Sequence, residues 1–220
     1  PAGTDWNGIA MALTQDEQDR AAAMRFEKDR AAFMAGRYLQ RSVLSLYTGL
    51  PARAIAIAIG PSGKPFLGSA RGRADIVFNL TNAQGLAAFA ISRHCTALGV
   101  DAEPVATRLA PAALSLFCSA AERDILSSLQ GEERQSLLLG YWTLKESLLK
   151  AVGTGLNRSP KQVEIRFDRA AHAIRIDKAP GGDEWHHRLF AAASGHLVAI
   201  SASTKRAALI MRQRRLPDPQ

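Results

Sequence analysis

The spacing of apolar and polar residues changes period several times along the chain. Thr14-Gln15-Asp16-Glu17 has the Ser/Thr-x-x-Glu form of a capping box, in which a hydroxyl and a carboxylate each satisfy a free backbone amide. Good helix formers follow as far as Ala23, so a helix is predicted there. Over residues 30–46, Phe33, Leu39, Val43, Leu44 and Leu46 recur at helical spacing while Arg30, Arg37 and Arg41 fall near one face. Gly49 and Pro51 then predict a stop. Residues 54–59 alternate Ala with Ile, which predicts a strand with its larger side chains on one face, and the loop Pro61-Ser62-Gly63-Lys64-Pro65 follows. Residues 76–80 and 86–92 read as a strand pair around a turn at 81–85, and residues 99–103 as a further short strand.

The second half repeats this order. Ser119-Ala120-Ala121-Glu122 is another capping box and opens a helix predicted to stop at Gly131. The next helix covers 132–151 and ends before Gly153. Strands are predicted over 163–167, 173–177, 185–192 and 197–202, with Gly181, Gly182 and Gly195 in the connecting loops. Gln84-Gly85 with its apolar strand ending at Ser92 is echoed by Ser194-Gly195 with its apolar strand ending at Ser201. Helices precede strands in each half, which predicts an α+β fold of antiparallel sheets rather than an alternating parallel one.

With 220 residues and 47% hydrophobic content, the chain is long and apolar enough for a globular core. Its apolar runs, such as 86–91 and 197–200, are far shorter than a bilayer span, and nothing in its N-terminal residues reads as a secretion signal. A cytoplasmic protein is expected. Two cysteines, Cys95 and Cys118, without Cys-x-x-Cys spacing predict free thiols. The formal charge of +8 implies an anionic partner, and nucleic acid, a membrane surface, an acidic protein and a polyphosphate ligand all fit it.

Two short patterns carry chemistry. Asp101 and Glu103 lie two apart on a predicted strand, so their carboxylates share a face and repel unless a cation intervenes. Mg²⁺ held with phosphate oxygens and water suits such a pair, and a solvated strand end is the plainer alternative. On the helix over 132–151, Trp142, Glu146 and Lys150 recur every four residues on one face. Lys145 lies about 100° away, where it is expected to be free to reach a phosphate. An ordinary amphipathic helix with a Glu146–Lys150 ion pair is the alternative for this segment.

Taken in order, the patterns resemble one family. Gly99-Val100-Asp101-Ala102-Glu103 is similar to its G-[IV]-D-x-E. Trp142 to Lys150 followed by Gly153-Thr154-Gly155-Leu156 is similar to its W-x-x-K-E-[SA]-x-x-K-x-x-G-x-G-L, and Phe117 to Glu122 resembles the F-[SC]-x-x-E between them. Upstream, Gly63-Lys64-Pro65 looks like the family's G-K-P loop, Phe78 to Ala83 like its F-N-[IL]-S-H-S, and Arg25-Phe26 through Arg41-Ser42 like its arginine-bearing N-terminal helix. This is the pattern of 4′-phosphopantetheinyl transferases of the surfactin-synthetase-activating type.

The resemblance implies two similar α+β halves related by a pseudo-twofold axis, here 1–98 with coenzyme A contacts and 99–220 with the metal site, catalytic helix and a basic tail. It implies Mg²⁺-dependent transfer of 4′-phosphopantetheine from coenzyme A to a serine of an acidic acyl or peptidyl carrier protein, with release of 3′,5′-ADP. Asp101, Glu103 and Glu146 would hold the metal, Glu146 would act as general base, and Lys145 and Lys150 would neutralise phosphate charge. Lys64, Pro65, Thr81 and Asn82 would contact coenzyme A. Asn82 stands where the family has histidine and cannot carry its positive charge, which predicts weaker coenzyme A binding. The resemblance further implies a monomer, and without a nucleic-acid motif or a membrane-length apolar run neither a nucleic-acid nor a membrane partner is expected.

Other readings follow from single features. Gly63-Lys64 is followed by Pro65 and so is no P-loop, and the histidines His172, His186, His187 and His196 lack zinc spacing. Lys205, Arg206, Arg212, Arg214 and Arg215 form a basic tail without an accompanying nucleic-acid motif. A non-catalytic homologue that binds carrier proteins is the alternative that Asn82 keeps open.

Overall fold

Two 22-residue helices, each stopped by a glycine in the left-handed region, organise the chain. The computed structural model describes residues 5–68, 75–153, 159–168, 173–177, 184–205 and 209–214. Helices α1 (Trp6–Ala12) and α2 (Gln15–Ala22) lead into α3 (Glu27–Thr48), and both halves of the Thr14–Glu17 capping box are formed. Helix α3 runs further in both directions than its apolar pattern predicts and ends at Gly49, with φ 70°. Its buried positions Gly36, Gln40, Leu44 and Thr48 recur every fourth residue, so one stripe faces the sheet. Helix α1 carries too short a pattern to be predicted.

After α3 come a 3₁₀ turn at Ala52–Ala54 and the hairpin of β1 (Ile57–Ile59) with β2 (Pro65–Leu67). The predicted strand over 54–59 is thus shorter, and its isoleucines pass from buried Ile55 to exposed Ile59. Strands β3 (Val77–Ala83) and β4 (Leu86–Ser92) then pair around Gln84-Gly85. The turn expected at 81–85 is therefore confined to two residues, because Gly85 at φ 81° reverses the chain by itself. Thr81 and Asn82 belong to the strand.

Strand β5 (Ala97–Pro104) leads through α4 (Leu114–Phe117) and α5 (Ala120–Ser127) to α6 (Gly131–Val152). The Ser119–Glu122 capping box is formed, and α5 stops at Ser127, four residues short of Gly131. Helix α6 ends at Gly153, with φ 71°. A 3₁₀ turn at Pro160–Gln162, the hairpin of β6 (Glu164–Asp168) with β7 (Ala173–Asp177), and the hairpin of β8 (Glu184–Ala192) with β9 (His196–Thr204) follow. Among the described residues, long helix, 3₁₀ turn, hairpin and hairpin thus occur twice in the same order. The sequence echo marks the second hairpin of each set. Its two turns meet, with His196 Nε2 2.8 Å from the Gln84 carbonyl.

The architecture is mixed helix and antiparallel sheet, as predicted. Strand β9 lies between β5 and β8, and α6 packs against β5 and β9. Leu138, Leu144, Leu148, Phe117, Leu126, Val163 and Ile165 form the larger core, while Leu44, Ile55, Ile76 and Phe78 form a smaller one under α3. Strand β3 runs beside β5, joined to it where Asn79 Oδ1 accepts the Val100 amide at 2.9 Å. Cys95 and Cys118 are buried free thiols, as expected. Among the described residues no helix is long and apolar enough to cross a membrane.

Candidate active site

Strand β5 lies tightly against the backbone of α6 at Gly99. A Cβ there would lie 2.0 Å from the Ser147 carbonyl oxygen and 2.5 Å from the Ala151 nitrogen, so only glycine lets the strand lie against the helix backbone. Two residues further along β5, on the same face, is Asp101. Its neighbours on α6 are Glu146 and Lys150, each one residue before a helix residue that meets Gly99.

Asp101 is buried, and Lys150 Nζ donates to its Oδ1 at 2.6 Å. Thr81 bridges the two, with its hydroxyl donating to Asp101 Oδ1 at 3.2 Å and accepting from Lys150 Nζ at 3.0 Å. Burial raises the Asp101 pKa, opposed by Lys150 and reinforced by Glu103. Burial likewise raises the Glu146 pKa, reinforced by Asp101 and Glu103 and opposed by Lys150. Glu103 is half-buried and accepts the Trp142 indole N–H at Oε1, 2.9 Å away. The face shared by Trp142, Glu146 and Lys150 therefore meets the face shared by Asp101 and Glu103; spacing predicts each shared face, and the fold brings the two together. The Glu146–Lys150 ion pair of the plainer reading is replaced by Lys150–Asp101.

These carboxylates are neighbours but not yet a cage. Among the described residues, no three His, Cys, Asp or Glu side chains form a group that could hold a metal ion. Asp101 Oδ2, however, is buried without a hydrogen-bond partner. A buried carboxylate oxygen left bare costs free energy that a cation would recover, so the donor set fits a hard divalent ion.

A cavity of about 320 Å³ opens beside this cluster, lined by Lys64, Pro65, Asn79, Leu80, Glu146 and Lys150 among others. The ammonium of Lys64 donates to the Ala151 carbonyl of α6 at 2.5 Å and to the Leu98 carbonyl of β5 at 3.1 Å, and burial lowers its pKa to about 8. Gly153 gives the Lys64 loop room, since a Cβ there would lie 3.1 Å from Lys64 Cδ.

Two expectations are corrected. Lys145 is not free to reach a phosphate. It is fully buried, with Nζ donating to Glu122 Oε2 at 2.5 Å and to the carbonyls of Phe117 and Pro160 at 2.7 and 3.2 Å. All three ammonium hydrogens are engaged, and burial outweighs Glu122 in lowering its pKa. Glu122 in turn accepts the amides of Ser119 and Ile165, so the pair ties α5, β6 and α6 together. The other correction concerns Thr81 and Asn82, expected to contact coenzyme A together. As successive strand residues they face opposite sides of β3: Thr81 is buried against Asp101, whereas Asn82 is exposed and lies over Gly36 of α3.

Sequence reasoning missed Asn79. It alternates with Thr81 on the buried side of β3, and a polar residue repeating at period two inside an apolar strand was the available signal. His187 Nδ1, Ser201 Oγ and Ser147 Oγ of α6 form a further unforeseen hydrogen-bonded chain, at 3.0 and 2.7 Å. His196 is buried between turns, in keeping with a structural role. Thr154, Gly155 and Leu156 of the glycine motif, His172, and Arg206 and Arg215 of the basic tail lie outside the described residues.

Residues 97–201 match the model of the 4′-phosphopantetheinyl transferase superfamily, and residues 1–94 match that of the 4′-phosphopantetheinyl transferase N-terminal region. The chain is 33% identical over 173 residues to the 4′-phosphopantetheinyl transferase HetI of Nostoc sp., covering 78% of this chain and 72% of that protein. It is 29% identical over 177 residues to the L-aminoadipate-semialdehyde dehydrogenase-phosphopantetheinyl transferase of Xenopus laevis, covering 75% and 57%. Among solved structures, the holo-(acyl-carrier-protein) synthase of Bacillus anthracis in complex with CoA (3′,5′-ADP) aligns at TM-score 0.45 and 19% identity, over 51% of this chain and 99% of that one.

Proposed function

The chain belongs to the 4′-phosphopantetheinyl transferase family, and from that premise we propose that it transfers 4′-phosphopantetheine from coenzyme A to a serine hydroxyl of an acyl or peptidyl carrier protein, releasing 3′,5′-ADP. The observation that carries this reading is that Glu146 and Lys150 line one cavity while Lys150 is bonded to the buried carboxylate of Asp101 beside it.

In this reading the serine oxygen attacks the β-phosphorus of coenzyme A, and the bond from that phosphorus to the bridging oxygen of 3′,5′-ADP breaks. Glu146 takes the serine proton. A carboxylate whose pKa is raised by burial and by its acidic neighbours is a better base near neutral pH than an exposed one. Lys150 neutralises charge that builds on the leaving 5′-phosphate of 3′,5′-ADP. Asp101, Glu103 and Glu146 would hold Mg²⁺, which when bound supplies further charge neutralisation at the pyrophosphate. Lys64 and Pro65, on the cavity wall, are assigned to coenzyme A, with Asn82 contributing from the α3 side of β3; Thr81 instead orients Asp101 and Lys150. Residues 1–98 supply the nucleotide side and 99–220 the catalytic side of the site.

The motifs favour the surfactin-synthetase-activating type, and the N-terminal match and the Xenopus relative favour the aminoadipate-semialdehyde-dehydrogenase-activating one. Incubation with Mg²⁺, coenzyme A and a panel of apo acyl and peptidyl carriers tests the reading. A carrier that gains the mass of phosphopantetheine supports it, and the set of carriers modified decides between the types. If no carrier gains that mass while coenzyme A or a carrier still binds, the non-catalytic alternative replaces it.

A further inference from the structure

The Asp101–Lys150 contact raises a question that the transfer reaction leaves open: what balances the carboxylates before a metal arrives. Lys150 Nζ lies 2.6 Å from Asp101 Oδ1 and is steadied by Thr81 Oγ1, yet the other oxygen of the same carboxylate is buried and unpartnered. The ammonium thus cancels the charge of Asp101 while leaving half of its accepting capacity unused. Meanwhile Glu103 is turned to the Trp142 indole, and the three carboxylates do not converge.

We propose that Lys150 is a resident counter-ion at the Asp101 end of the cation site, and that a divalent cation enters by displacing its ammonium, which then turns into the cavity. This rests on the reading above that the site takes a divalent ion. The two lysines of α6 show why Lys150 and not Lys145 is suited to move. The Lys145 side chain is 0% exposed and holds three acceptors, so moving it would strand a buried Glu122. The Lys150 side chain is 31% exposed, already lines the cavity, and carries its charge on a flexible four-carbon stem.

The electrostatics favour the exchange. Asp101, Glu103, Glu146 and Lys150 together carry a formal charge of −2, from three carboxylates and one ammonium. A doubly charged ion on Asp101 is attracted by all three carboxylates, and the like charge in contact with Asp101 is the Lys150 ammonium, which it can drive off. Exchange also couples two events. The lysine charge becomes available to phosphate only once the cation is in place, so an unloaded site offers incoming phosphate less positive charge than a loaded one.

The test measures Mn²⁺ binding by the electron paramagnetic resonance of the free ion, without coenzyme A or carrier, in the wild type, Lys150→Met and Lys150→Gln. Both variants are expected to bind Mn²⁺ about tenfold more tightly, since one like charge at contact range has gone. Equal or weaker binding by variants that keep the wild-type circular dichroism would overturn the displacement while leaving the cation site standing. No binding by any of the three would overturn the cation site and this inference with it.

A second measurement, read on the wild type, does not depend on the affinity of a variant. The ¹⁵N–¹H signal of the Lys150 ammonium, assigned by its loss in Lys150→Gln, should shift or broaden as Mg²⁺ is added, while that of Lys145 stays fixed. A Lys150 signal unmoved at saturating Mg²⁺ would overturn the proposal.

Discussion

Gly99→Ala should damage the site without touching any of its charged groups. Gly99 does not occupy the left-handed region, so alanine meets no backbone strain there and its effect is purely one of space. The added Cβ would lie 2.0 Å from Ser147 O, 2.5 Å from Ala151 N and 3.0 Å from Ala151 Cα, all of them backbone atoms that no rotamer change can remove. Restoring ordinary contact at about 3.5 Å requires β5 and α6 to part by roughly 1–1.5 Å. Overpacking of this kind costs about 1–3 kcal/mol, and for a chain of this size each kcal/mol lowers the melting midpoint by about 2–4 °C. The same displacement separates Asp101 from Lys150 and Glu146, and a misplacement of about 1 Å costs on the order of 10²-fold in turnover. Thermal denaturation and carrier-modification rates would be measured side by side. Gly140→Ala serves as the control, because its Cβ would meet side chains rather than backbone, the movable end of Leu189 at 3.2 Å and Phe167 Cζ at an ordinary 3.8 Å. A Gly99→Ala protein with wild-type melting and turnover would refute the claim that backbone contact between β5 and α6 sets the site.

Other expectations follow from buried charge. Lys145→Met should destabilise the fold by about 3 kcal/mol, because it strands the buried Glu122 carboxylate, and Lys145→Met/Glu122→Gln should recover part of that loss. The apparent KM for coenzyme A of the folded fraction should be unchanged, whereas a raised KM would restore the phosphate-contacting role. His187 is held neutral by burial, with His186 adding to the effect, and its pKa falls from 6.5 to about 4. Its folded-state pKa lies below the unfolded one, so its contribution to stability is complete above pH 6.5 and is lost progressively as pH falls towards 4. The interval is worth at most about 3 kcal/mol. Urea denaturation between pH 4 and 7 should therefore show a stability slope that His187→Gln flattens; an equal slope in both proteins would contradict this.

What could be read from the sequence was mostly local. The capping boxes at Thr14 and Ser119 involve residues three apart and were recoverable by inspection. So was the joint face of Trp142, Glu146 and Lys150, since helix geometry alone fixes it. The β3–β4 turn was misplaced because Thr81 and Asn82 have turn-like composition, whereas their strand conformation is set by pairing with Ala88 and Ala87. Lys145 was misjudged for a related reason. Helical periodicity gives the direction of a side chain but not what lies in that direction, and its partner Glu122 is 23 residues away in another helix. The Lys64 contacts to Leu98 and Ala151 span 34 and 87 residues, and only the assembled fold reveals them.

The central claim is that the Asp101–Glu146–Lys150 face of β5 and α6 performs phosphopantetheinyl transfer. It is tested most directly by the intact mass of an apo carrier protein after incubation with coenzyme A, Mg²⁺ and either the wild type or Glu146→Gln. The account predicts one phosphopantetheine on the carrier serine and an equal amount of 3′,5′-ADP with the wild type, and at least about a 10²-fold slower reaction with the folded variant. A Glu146→Gln protein that modifies the carrier at the wild-type rate would contradict it.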